Sequence, residues 1–131
     1  MEPQQPRPDP KTLGIPNICF SIIDDDSKRA PEFAEQRRTR GFDDSELWSL
    51  DSTIAAFILP RLRRFKEIAH GHPGQITPEE WDGILDKMIL AFERVAGQFE
   101  LGATRDQERQ YSEEIEEGMK LFAEWFSSLW N

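Results

Sequence analysis

Cysteine is almost missing from this sequence: the single residue, Cys19, excludes an intramolecular disulfide. Long apolar runs are missing too, and none approaches the about 20 residues that a helix needs to cross a bilayer. The start of the chain, Met1 to Pro6, is polar and proline-rich, which is not typical of a secretory signal. We therefore expect a soluble protein of the cytoplasm that has no membrane partner.

Catalytic motifs are also missing. Only two histidines, His70 and His72, are available for a metal, and they make half a zinc site at best. The acidic run at 113–117 would hold magnesium only together with carboxylates from a second segment, and no matching acidic motif occurs on a second helix. We predict a protein that is not an enzyme and that has neither a metal site nor a cofactor.

Acidic residues dominate what is present, and they are unevenly placed. Residues 1–42 carry seven Lys/Arg and seven Asp/Glu, so the net charge of -9 falls entirely on residues 43–131. Such a surface repels phosphate backbones and anionic membranes, which argues against general nucleic-acid binding. It is compatible with a basic protein partner, although solubility alone also explains it.

The first forty residues are predicted to be a flexible or extended N-terminal arm. Residues 1–16 contain five prolines, each of which removes a backbone donor. The apolar segment 17–23 could form a short strand or lie extended on the helical body. One short helix is expected around Pro31–Arg38.

Residues 41–131 predict an all-α bundle of three amphipathic helices. The first helix has a cap at 43–45, runs to about Ala69 and contains Pro60, which is expected to kink it. Its apolar face, at about 100° per residue, is predicted to contain Leu47, Leu50, Ile54, Ile58, Leu62, Phe65 and Ile68.

The second helix has the clearest start signal in the chain. Thr77 and Glu80 match a capping box, with Pro78 at the first helical position. The helix is predicted to run to about residues 95–98. Its apolar stripe is expected to be Trp81, Leu85, Met88, Phe92, Val95 and Phe99.

The third helix is predicted to start at the capping pair Thr104 and Gln107 and to end near Trp130. Gly118 falls inside its apolar stripe, where glycine costs about 1 kcal/mol of helix propensity. We expect the close approach of another helix to explain the glycine. The stripe is predicted to contain Tyr111, Ile115, Met119, Phe122, Phe126 and Leu129.

A series of motifs from residue 41 onward points to a family. In order, the motifs are Gly41-Phe42-Asp43-Asp44-Ser45-Glu46-Leu47-Trp48-Ser49-Leu50-Asp51, Leu59-Pro60-Arg61-Leu62, His72-Pro73-Gly74, Thr77-Pro78-Glu79-Glu80-Trp81, Ile84-Leu85-Asp86-Lys87-Met88-Ile89 and Phe92-Glu93. This order and spacing resembles a widespread group of small phage and prophage proteins without an established general function. The resemblance covers residues 41–93. It implies a phage origin and a helical body, and it implies no reaction.

Asp51 is the most unusual candidate residue, because it falls about 40° from Leu47 on the helical wheel. A carboxylate inside an apolar stripe needs partners or a place near its rim. It either accepts hydrogen bonds from a neighbouring helix start, Lys87 or an arginine, or it contacts a ligand or a metal.

The other candidates are basic and aromatic. A basic cluster, Arg61, Arg63, Arg64 and Lys66, would suit a phosphate, or it places cations near a helix C-terminus. Tryptophans at stripe edges often fill interfaces. The candidate ligand or partner contacts are Trp48, Asp51, Arg61, Arg64, His72, Trp125 and Trp130.

Two functions remain open on these grounds. The first is a phage-encoded interaction protein that binds a host protein in the host cytoplasm, such as a defence component, and inhibits or redirects it. The second is an oligomer that binds and sequesters a nucleotide.

Overall fold

The computed structural model describes residues 8–12, 14, 17–97 and 102–130, and over those residues its only regular secondary structure is helical. This confirms the all-α prediction. The α-helices are α1 (Ala30–Arg40), α2 (Leu50–Ile68), α3 (Pro78–Gly97) and α4 (Arg105–Trp125). Short 3-10 helices cover Pro10–Thr12, Asp44–Leu47 and Phe126–Ser128. Within the described ranges, no helix is long and apolar enough to span a membrane.

The chain divides between Thr53 and Ile54 into two compact units. Unit 1 covers residues 1–53 and unit 2 covers residues 54–131. The range predicted as an arm, 1–40, contains α1, which is the short helix expected there. The separate domain boundary predicted after residue 40 stays a prediction.

In unit 1, α1 ends at a glycine with a left-handed backbone conformation. Gly41, whose φ is 87°, closes α1 by donating its backbone N–H to the carbonyl of Arg37 at 2.9 Å. Such a left-handed φ suits glycine because it has no Cβ. The segment 19–24 forms neither a helix nor a strand.

The single helix predicted from 43–45 to Ala69 is wrong at its start. Asp43 makes a capping box with Glu46, but the turn that it caps is the 3-10 helix Asp44–Leu47. α2 begins only at Leu50, and Thr53 donates its hydroxyl to the carbonyl of Glu46 at 2.7 Å. That carbonyl is thus satisfied by a side chain rather than by a helical N–H. The helix then continues through Pro60 to Ile68.

In unit 2, α3 and α4 begin where the sequence predicts. The Thr77 hydroxyl accepts the N–H of Glu80, and the Glu80 carboxylate accepts the N–H of Thr77, both at 3.1 Å. Thr104 and Gln107 form the same reciprocal pair. α4 ends at Trp125, five residues before the predicted end, and a 3-10 turn follows.

Gly118 lies where α4 meets α3, as predicted. A Cβ at this position would lie 2.3 Å from the Cβ of Ala91 and 2.4 Å from the carbonyl oxygen of Lys87. Only a glycine lets the two backbones come this close without displacement. The cost in helix propensity is therefore offset by packing.

The core of unit 2 is built mainly from α3. The buried residues are Ala55, Leu62, Trp81, Leu85, Met88, Ala91 and Phe92. From α4, Met119, Phe122 and Trp125 pack partly buried against this cluster. The predicted stripe of α3 is thereby confirmed except at Phe99, which lies outside the described residues.

Candidate functional site

The predicted apolar face of α2 is only partly buried. Ala55 and Leu62 face the core, whereas Ile54, Phe57 and Ile68 are 40–47% exposed. α2 is apolar over more than half of its circumference, and its neighbours cover only one side. The expectation that Leu47, Leu50, Ile54 and Ile68 face the core is therefore wrong, because all four are exposed. We call Ile54, Phe57 and Ile68 the exposed α2 stripe.

A groove runs beside this stripe within unit 2. It has a volume of about 210 Å³ and is lined by Phe57, Ile58, Arg61, Leu62, Phe65, Phe122 and Leu129. Apart from Arg61, these side chains are apolar. Phe126 stacks edge-on against Phe122, with ring centroids 5.5 Å apart, and is itself exposed. We call this feature the α2–α4 groove.

Arg61 supplies the charge of the groove. Its guanidinium lies 3.9 Å from the centroid of the Phe57 ring, and Nη1 donates to the Phe57 carbonyl at 2.7 Å. The stacking places a positive charge beside an apolar surface.

The rest of the basic cluster is paired with acids. Arg63 contacts Glu93 at 2.8 Å, and Lys66 contacts Asp86 at 2.5 Å, so both cations join α2 to α3. Arg64 pairs with Glu67 at 3.1 Å along α2. These exposed pairs contribute little stability, but they partly neutralise the cations that a phosphate would need.

A second cavity brings two predicted candidates together. His72 and Trp130 line a space of about 280 Å³ with the loop glycines Gly71 and Gly74. The ring Nδ1 of His72 lies 2.9 Å from the carbonyl oxygen of Pro73. Over the described residues, no group of three or more metal-ligating side chains comes together.

None of the remaining predicted candidates belongs to the groove lining. Asp51 is exposed, and its Oδ1 accepts the N–H of Ser52 at 2.8 Å and the Ser49 hydroxyl at 3.0 Å. Its partners are thus residues at the start of its own helix. Trp48 is exposed in unit 1, edge-on to Phe33. Trp125 packs against Trp81 in the core of unit 2, with ring centroids 5.9 Å apart.

Sequence reasoning missed the buried polar network of unit 1. Arg37 is only 4% exposed and donates Nη1 to the fully buried Asp43 at 2.5 Å and Nε to Asp9 at 3.0 Å. Asp43 also accepts the hydroxyls of Ser21 and Ser45. The capping pattern at Asp43 was visible in the sequence, but no local pattern links residues 9, 21 and 37.

Electrostatics in this network favour the ionised carboxylates. Burial by itself raises the pKa of Asp43, but hydrogen bonds from Ser21, Ser45 and Arg37 outweigh it and hold the pKa below its usual value. The pKa of Asp9 is lowered in the same way: burial raises it, and the contacts with Arg37 and the Lys11 N–H outweigh burial. The network is a structural clamp, because every charge has a partner inside unit 1.

The clamp also holds the segment 19–24. The backbone N–H of Phe20 donates to the Glu46 carboxylate at 3.2 Å, and the N–H of Ile22 donates to the Ser45 hydroxyl at 3.1 Å. Two side chains of the 3-10 helix Asp44–Leu47 thus accept the backbone N–H groups that a neighbouring strand would accept in a sheet.

No protein-family model matches this chain, and neither a curated protein nor a solved structure matches it. The resemblance to small phage proteins therefore stays a prediction.

Proposed function

We propose that this chain is a non-enzymatic, phage-encoded protein that binds a host protein in the host cytoplasm and inhibits it, with a component of host defence as the target. Its helical body would act as a three-helix bundle that presents a binding face. The phage origin rests on the motifs of residues 41–93. The binding role rests on the surface of unit 2.

The observation that carries the binding role is the exposed α2 stripe beside the α2–α4 groove. Single exposed hydrophobic residues are normal on protein surfaces. Here Ile54, Phe57 and Ile68 share one helix face and adjoin a concave apolar lining. Apolar side chains grouped around a concavity are typical of binding surfaces.

Site-specific cross-linking tests this proposal. A photoreactive amino acid replaces Phe57 in bacteria that produce the protein, and the matched control carries it at Glu113, which is exposed on α4. We expect position 57 to give a discrete cross-linked host protein that is missing from the control. Identical products at both positions, or none at position 57, would contradict the proposal.

The second candidate function is that of an oligomeric nucleotide-binding protein. The observation in its favour is the cavity of His72 and Trp130, because an indole can stack on a nucleobase. A nucleotide at 100 times its Kd would stabilise the protein by about 2.7 kcal/mol. A thermal-shift series with nucleoside mono-, di- and triphosphates measures this, and an unchanged Tm with all of them removes the candidate.

A further inference from the structure

Asp9 reaches the buried Arg37 from a separate segment of unit 1. We call residues 8–12 the strap; they include the 3-10 helix Pro10–Thr12. Arg37 donates Nε to Oδ1 of Asp9 at 3.0 Å and Nη2 to Oδ2 at 3.2 Å. Two parallel bonds along one edge of a guanidinium are the geometry in which arginine recognises a carboxylate. The strap thus presents Asp9 to Arg37 as a second molecule would.

The other edge of Arg37 is held by residues outside the strap. Nη1 donates to the Ser21 hydroxyl at 3.2 Å and to the Asp43 carboxylate at 2.5 Å. Asp43 is fully buried and also accepts the N–H of Ser45 at 2.8 Å. These contacts fix the guanidinium from within unit 1. The Nε edge of Arg37, formed by Nε and Nη2, is therefore preorganised for a carboxylate even when Asp9 is removed.

The contacts of the strap lie nearer the surface than those of Nη1. The side chain of Asp9 is 21% exposed, whereas that of Asp43 is 0% exposed. Lys11 donates Nζ to the carbonyl of Ile23, and the same atom lies 3.8 Å from the exposed carboxylate of Asp25. Contacts near the surface open at a lower free-energy cost than buried ones. We therefore expect the strap to detach before the rest of unit 1 unfolds.

A cavity of about 600 Å³ lies beside this ion pair. Its lining includes Asp9 and Lys11 of the strap, together with Lys28, Ala34 and Arg37. The cavity leaves space next to the Nε edge of Arg37 for a carboxylate that comes from outside the chain.

We infer that the Nε edge of Arg37 is a carboxylate-binding site that the strap fills with Asp9, and that an acidic side chain of a partner can take its place. The contact with Asp9 is then autoinhibitory, because the site stays closed until a second carboxylate displaces it. Opening without a replacement would leave buried donors unsatisfied, which keeps the strap closed in the free protein. The site lies in unit 1, so it is separate from the binding surface proposed in unit 2.

Titration of the full-length Asp9→Ala variant with sodium formate tests the inference. Formate is the smallest carboxylate, and sodium chloride keeps the ionic strength constant. The readout is the NMR resonance of the Arg37 Nε–H group, assigned through its bonds to the backbone. The matched control is Glu35→Ala, read at Arg38, which makes the same Nε and Nη2 contacts with Glu35 but is 44% exposed.

We expect the Arg37 resonance of Asp9→Ala to move saturably with formate. Its half-saturation should need about tenfold less formate than that of Arg38 in the control, because a charged hydrogen bond is stronger at a buried site than at the surface. In the wild type the Arg37 resonance should respond only at about tenfold higher formate or above, since Asp9 competes as an intramolecular ligand. The backbone amide resonances of α1 should persist in Asp9→Ala, which shows that unit 1 is folded without the tie.

Four outcomes would overturn the inference. An unmoved Arg37 resonance in Asp9→Ala would show that the edge binds no carboxylate. Equal half-saturation at Arg37 and Arg38 would show only the general weak affinity of guanidinium for formate. A wild type that responds like Asp9→Ala would show that Asp9 does not fill the site. Loss of the α1 amide resonances in Asp9→Ala would show that the strap is part of the fold and not displaceable. The cross-linking at position 57 decides the proposed function separately.

Discussion

Gly118→Ala offers the most direct test of how α3 and α4 pack. The new methyl group would lie 2.3 Å from the Cβ of Ala91 and 2.4 Å from the carbonyl oxygen of Lys87. A backbone carbonyl cannot rotate away as a flexible side chain can, so the helices must separate. Overpacking of this kind costs about 3 kcal/mol at the upper end of the usual range.

Helix propensity acts in the opposite direction. Alanine stabilises the interior of a helix by about 1 kcal/mol relative to glycine. The net effect of Gly118→Ala is therefore a loss of about 2 kcal/mol, which lowers Tm by about 8 °C in a chain of this size. Thermal unfolding followed by circular dichroism measures this shift.

Gly83→Ala is the matched control, because Gly83 also lies inside a helix but has no atom near the position of its missing Cβ. The control should raise Tm by about 2–4 °C through propensity alone. If Gly118→Ala left Tm unchanged or raised it as the control does, the close approach of α3 and α4 would be refuted. In a double-mutant cycle, Ala91→Gly should cost less beside Gly118→Ala than alone, since it removes one of the two overlaps.

Further predictions concern unit 1. Arg37→Ala should lower the free energy of unfolding of unit 1, measured by urea titration, by about 3 kcal/mol, because it leaves the buried Asp43 carboxylate without its cation. Arg38→Ala breaks only an exposed pair with Glu35 and should cost less than about 1 kcal/mol in the same titration. Because the pKa of Asp43 is lower in the folded than in the unfolded protein, its contribution is fully present above pH 3.8 and is lost as the pH falls through the folded pKa. Urea midpoints measured between pH 7 and pH 2.5 should therefore fall steeply only at the acidic end, about pH 4 and below. Asp43→Asn should flatten that fall. A curve as steep in the variant would show that the Asp43 carboxylate is not the cause. Burial, with a smaller effect from the Glu46 carboxylate, raises the pKa of the Cys19 thiol, so a thiol reagent at neutral pH should react more slowly with the folded protein than in urea; equal rates would show that the thiol is accessible.

Much of the candidate site lay beyond sequence reasoning. Arg61 was singled out as a candidate, but its place at an apolar groove depends on Phe122 and Leu129 at the far end of the chain. His72 and Trp130 were also candidates, and only folding brings them to one cavity. Side chains distant in sequence carry no signal of their proximity in a single chain.

The sequence by itself determined the elements whose causes are local. The starts of α3 and α4 follow from capping residues three positions apart, and the buried face of α3 follows from its narrow apolar stripe. Gly118 signalled a close helix contact because its propensity cost had no local compensation. These features depend on residues within one or two turns of each other.

Only the tertiary structure decided the orientation of α2 and the clamp of unit 1. α2 is apolar over so much of its circumference that the periodicity of its sequence does not determine which side faces the core. In the folded protein Ala55 and Leu62 are buried, whereas Ile54 and Phe57 are exposed. α2 begins at Leu50 and not at Asp43, because the capping box of Asp43 and Glu46 starts the 3-10 helix Asp44–Leu47 instead. Burial and long-range ion pairs are properties of the folded chain, since they depend on which surfaces meet.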